Sequence, residues 1–101
     1  MKMTTEIILQ KLKKVEHPEI SCSLYELGML ADVGVDGNTA IMAMAFPTDQ
    51  IPQAVVDLII KSIQEALSEL NCETEFVFFD MTEQDRQKFF TLARANWKGA
   101  V

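Results

Sequence analysis

The 101-residue sequence has one histidine, two cysteines, one tryptophan and four glycines that stand singly. Each scarcity removes a class of chemistry. With His17 as the sole imidazole and no cysteine pair at short spacing, the ligand pattern of structural zinc is missing. Cys22 and Cys72 are too few for a disulfide framework, and the expectation is a reducing, cytoplasmic setting. Gly28, Gly34, Gly37 and Gly99 form no phosphate-cradling loop. No run approaches the ~18 consecutive apolar residues of a membrane span, and the opening Met1 to Glu6 lacks the apolar stretch of a leader, so no membrane role is expected. Base is scarce as well: nine Lys and Arg against 15 Asp and Glu give a net charge of −6. Nucleic acid is therefore not an expected partner, because neutralising phosphates requires clustered cations. The one basic cluster, Lys11, Lys13 and Lys14, shares its helix with Glu6 and Glu16 and reads as a solvated face.

What is present is a core. Apolar residues make up 49% and charged residues 24%, the balance of a folded chain, and the length suits a single domain over 1–101. Ile7, Ile8, Leu12 and Val15 recur at helical spacing, with Thr4 or Thr5 as N-cap and Pro18 as the expected stop. Leu24, Leu27 and Leu30 suggest a short helical turn ended by Gly28. Residues 30–35 alternate as a strand, Asp36-Gly37-Asn38 is a hairpin turn, and the apolar run from Ala40 to Phe46 is a strand covered on both sides or nearly so. Pro52 opens a long helix to about Leu70, whose stripe includes Val55, Ile59, Ile63 and Leu67, and Asn71 closes it. Thr74 to Phe79 is a third strand, and Thr82-x-x-Asp85 caps a last helix to about Asn96. The expected fold is α+β, in the order α-β-β-α-β-α, with a small mixed three-stranded sheet. Its open edges make a homodimer an expectation.

No catalytic centre emerges. His17 and Cys22 are near enough in sequence for a thiol–imidazole dyad, but a core cysteine beside a turn histidine explains them as well. His17, Glu19 and Cys22 are mixed metal ligands without the pairing that metal sites favour. Glu73 and Glu75 alternate on a strand as solvated carboxylates do, and Trp97 reads as an anchor for the last helix. The expectation is a non-enzymatic domain with no cofactor and no metal.

The stretch Leu12-Lys13-Lys14-Val15-Glu16-His17-Pro18-Glu19-Ile20, followed by Leu27-Gly28-Met29-Leu30 and Val33-Gly34-Val35, resembles the family called domain of unknown function 59. That family includes SufT-like and PaaD-like proteins and a eukaryotic branch in the cytosolic iron–sulfur targeting complex. The resemblance covers about Glu6 to Phe79. It implies an iron–sulfur cluster assembly or maturation accessory acting through protein contacts with assembly components or recipient apoproteins. The alternative is a binding module for a small ligand or another protein on the same scaffold. Two departures stand out: His17 replaces the aspartate before Pro-Glu, and Ile51, in Thr48-Asp49-Gln50-Ile51-Pro52, replaces the reactive cysteine before the helix-opening proline. With that thiol gone, the expected functional surface is His17, Glu19, Thr48 and Asp49, converging at the end of the hairpin.

Overall fold

The computed structural model describes residues 3–98. Its elements are α1 (Thr5–Leu12), β1 (Leu30–Asp36), β2 (Thr39–Phe46), α2 (Gln53–Ala66), a 3-10 turn (Ser68–Leu70), β3 (Glu73–Asp80) and α3 (Glu83–Ala95). The sheet order is β1-β2-β3; β1 and β2 are antiparallel, whereas β2 and β3 are parallel and joined through α2. The sheet is mixed, as expected.

Both outer helices start as their sequences direct. The Thr4 hydroxyl accepts from Ile7 N–H and the Thr82 hydroxyl from Asp85 N–H. Helix α1 ends sooner than the apolar spacing suggests, and Pro18 is not what stops it. After Leu12 the chain turns extended, because Val15 C=O accepts from Leu24 N–H and Glu16 bridges to Ser23. Helix α2 also stops short of Leu70. Its last turn tightens into the 3-10 segment, and Asn71 takes the left-handed conformation (φ 51°) that releases the chain into β3.

The core lies between the helices and one face of the sheet. Ile8, Leu12, Ile59, Ile63 and Leu67 pack with Ala40, Met42 and Met44, all at most 1% exposed. Strand β2 is buried on that face. On its other face Ile41 and Ala43 are half-covered and Ala45 is buried, so the second side is covered in part. The apolar run reflects the central place of β2 between two neighbours, not a second layer of helices.

The segment between α1 and β1 is a built turn. Ser23 N–H donates to the Glu26 carboxylate (3.1 Å) while Glu26 N–H donates to the Ser23 hydroxyl (3.0 Å), a reciprocal capping box. These bonds hold the Glu26 carboxyl below its usual pKa. Met29 N–H then reaches Leu24 C=O and Gly28 N–H reaches Tyr25 C=O, with Gly28 at φ 76°. That Schellman closure requires a residue at ease with positive φ, and Gly28 is one.

Candidate functional site at the carboxyl ends of the parallel strands

Strands β2 and β3 end side by side, with Met81 N–H donating to Phe46 C=O at 2.9 Å. In open α/β sheets, ligands bind at this carboxyl end, where the connecting loops diverge. Three segments meet here. The 17–20 turn arrives from the core, the 47–52 loop leads β2 into α2, and α3 crosses beside them. The chain after α3 is stitched back onto the turn: Ser21 N–H donates to Asn96 C=O (2.8 Å), Lys98 N–H to Glu19 C=O (3.0 Å), and Ile20 bridges to Trp97. Lys98 also pairs with Glu16 at 3.1 Å.

Between them lies a cavity of about 480 Å³, within the range of small-molecule pockets. His17, Glu19 and Ile20 form one wall, the loop contributes Thr48, Ile51 and Pro52, and Phe89, Phe90 and Trp97 close the far side. Arg94 stands on its border. Thus His17, Glu19 and Thr48 share one cavity, while Asp49 lies in a neighbouring groove with Phe46, Phe78 and Asp80. The loop is itself braced, the Thr48 hydroxyl accepting from Gln50 N–H (3.2 Å).

His17 is the main polar group of the wall. It is only 4% exposed, and its Nδ1 accepts from Glu19 N–H at 2.9 Å. An accepting Nδ1 is unprotonated, so the neutral ring carries its proton on Nε2. Among the described residues no hydrogen bond engages that nitrogen, which keeps access to the cavity's open space. Burial pushes the His17 pKa below 6.5; the Glu19 carboxylate opposes this and Lys98 adds to it. The neutral ring, with one N–H left to give, is therefore the form at neutral pH.

Neither cysteine lines the cavity. Cys22 is buried, and burial, followed by the nearby Glu26 and Glu16 carboxylates, pushes its thiol pKa up. Its backbone C=O accepts from His17 N–H (3.0 Å), but no hydrogen bond joins its thiol to the imidazole among the described residues. Cys72 is half-buried at the start of β3, outside the cavity. The described residues contain no group of three or more His, Cys, Asp or Glu side chains arranged to hold a metal ion. Glu73 and Glu75 are exposed on β3.

Sequence reasoning missed the far wall. Trp97 is 43% exposed and Phe90 41%, and both border the cavity, whereas the expected anchoring falls to buried Phe89. Their signal was an apolar surplus on α3, which its one buried stripe of Phe89 and Ala93 does not use up.

The profile of the family described as iron–sulfur cluster assembly protein matches residues 5–75, from α1 into β3. The chain belongs to that family. An iron–sulfur cluster carrier protein from Synechocystis is 31% identical over 68 residues. These make up 67% of this chain but only 19% of the carrier, so the chain spans about a fifth of that relative's length. A crystal structure of a domain of unknown function 59 from Bacillus anthracis superposes with a TM-score of 0.68 at 21% identity, covering 88% of this chain and 91% of that one. At that identity the likeness establishes the fold. The matched residues include the 17–20 turn and the 47–52 loop, whereas Phe89, Phe90 and Trp97 lie beyond them.

Proposed function

We propose that this domain is a non-enzymatic accessory of iron–sulfur cluster assembly that works by protein contact at the carboxyl-end cavity. Its partners are assembly components or recipient apoproteins, and its setting is the cytoplasm. The observation that carries the reading is Ile51. It forms part of the apolar wall where the family resemblance calls for a reactive cysteine, and the thiol nearest in the chain to His17, Cys22, is buried. A loop opening a helix with isoleucine cannot present a thiolate to iron, but it can receive an apolar side chain from a partner. The kinship with a carrier protein supports the pathway, and the apolar wall supports the mode.

Anaerobic reconstitution with iron and sulfide tests the first half. A colourless, iron-free protein is expected, and a stoichiometric cluster lost on replacing Cys22 or Cys72 would overturn the contact reading. Affinity capture with the intact chain tests the second half. Assembly or recipient proteins are expected on the wild type and should be lost with Ile51→Asp, which puts a charge into the apolar wall.

His17 favours a second reading, a pocket for a small ligand. An N–H donor without a protein acceptor, open to about 480 Å³ of space, suits a compact, largely apolar molecule with one acceptor. Trp97 is the only tryptophan, so its fluorescence reports occupancy directly. Saturable quenching by such a molecule, abolished in His17→Phe, would favour this reading over the first.

A further inference from the structure

The sheet has two edges, and β3, whose Glu73, Glu75 and Asp80 only flank its aromatic centre, is the less protected. Strand β1 shifts register between Leu30 and Asp32, Asp32 turns its carboxylate back onto Val33 N–H (2.8 Å), and Asp36 closes the strand. A bulge and charges are what keep an edge from pairing with another chain. Strand β3 has no bulge in its register, no proline and no charge across Phe76-Val77-Phe78-Phe79. Val77, Phe78 and Phe79 are 50%, 49% and 46% exposed. Neighbouring strand residues point to opposite faces, so consecutive exposure shows an edge open on both sides.

The direction of its backbone groups follows from the two ends of the strand. Glu73 N–H donates to Asn38 C=O and Met81 N–H to Phe46 C=O, each at 2.9 Å. Odd-numbered residues therefore face β2, and the even-numbered Thr74, Phe76, Phe78 and Asp80 turn their N–H and C=O outward. We propose that this edge pairs with β3 of a second copy of the chain, antiparallel about a two-fold axis at Val77, to make one six-stranded sheet. That register sets Phe76 opposite the partner's Phe78 and Thr74 opposite the partner's Asp80, so the outward groups of the whole strand find partners. Aromatic faces aromatic on the helix-covered side, and Val77 faces its own counterpart on the other. Charge agrees with it. Glu75 falls opposite Phe79 and Glu73 opposite Met81, so no carboxylate meets another although each copy carries −6.

The pairing stands apart from the accessory reading, since β3 does not line the cavity. Half-exposed Val77, Phe78 and Phe79 offer roughly 300 Å² of apolar surface per copy, from the usual size of such side chains. Backbone pairing adds to this but leaves the interface below the ~1,200 Å² of a stable complex, so the dimer is reversible and concentration-dependent.

Sedimentation equilibrium of the intact chain is expected to show a monomer–dimer equilibrium that Val77→Lys weakens at least ~10-fold, since two lysines would meet on the axis. The register is read by cross-linking in a Cys72→Ser background. Val77→Cys is expected to oxidise rapidly to a disulfide dimer, because facing non-hydrogen-bonded residues sit ~4.5 Å apart at Cα. Glu75→Cys should cross-link slowly. A chain that stays monomeric at every concentration overturns the proposal. So does a dimer indifferent to Val77→Lys, or a Glu75→Cys variant that cross-links faster than Val77→Cys. If an unlike partner protein protects the β3 amides from hydrogen exchange while the chain alone stays monomeric, the edge belongs to that partner and the self-pairing is wrong.

Discussion

The two ends of the sheet are lined differently, one almost wholly apolar and the other mixed with charge. At the carboxyl end of β2 and β3, apolar side chains from three segments enclose a cavity around a neutral histidine. At the hairpin end, Lys11, Lys14, Glu69 and Asn71 stand among Ile7, Val35 and Leu70 around a wide mixed groove of about 1430 Å³, where Lys11 pairs with Glu69. The larger hollow is the poorer candidate. Water enters a wide groove and screens its charges, and an exposed ion pair contributes only ~0–1 kcal/mol. The apolar cavity leaves one imidazole N–H facing its open space without a protein acceptor, where a ligand or partner can take it up. Volume alone does not choose a site; an apolar lining around a free donor does.

The sharpest way to break this comparison is to cut into each end. Ile20 is 1% exposed behind the cavity, and Ile20→Ala is expected to cost about 2–4 kcal/mol in urea unfolding. Val35, half-buried beside the hairpin groove, should cost clearly less as Val35→Ala. Equal losses would mean that the two ends are packed alike. A smaller effect of a different kind belongs to the hairpin. Gly37 sits at φ 60°, so Gly37→Val should cost ~1–2 kcal/mol from backbone strain alone, although nothing lies within 4 Å of a Cβ there. Thermal unfolding would read it, and a stability unchanged from wild type would show that the turn relaxes freely.

The smallest effect expected is a pH dependence confined to the cavity end. Burial lowers the His17 pKa, so the unfolded chain binds a proton that the folded chain resists. The stabilising contribution is complete above pH 6.5 and is lost as the pH falls through the lower folded value. Unfolding curves from pH 7.5 down to 5 should show this decline in the wild type, and His17→Gln should flatten it. A variant as pH-sensitive as the wild type in that window would assign the decline to other groups.

Much of this molecule was legible from local pattern. The hairpin at Asp36-Gly37, the stripe of α2 and the cap at Thr82 rest on neighbours within four residues, and propensity and spacing act at that range. So did the likeness around Pro18-Glu19-Ile20 and the isoleucine at position 51. The ends of α1 and α2 were not legible, because Val15 leaves its helix to bond Leu24 and the last turn of α2 tightens before Asn71. Ser23-x-x-Glu26 was a readable capping box that went unread amid a mixed apolar pattern.

The sequence by itself determined the order of the elements, the family and the absence of a thiol at the loop, since each depends on residue identity and short spacing. Only the tertiary structure decided what surrounds that loop. Trp97 follows His17 by 80 positions and reaches its cavity through backbone bonds from Asn96 and Lys98 to the 19–21 segment. The Nδ1 bond that leaves the imidazole proton on Nε2 is likewise a product of the turn's geometry. Backbone amides look the same in every sequence, so the contacts they make across 80 residues are set by packing and not by composition.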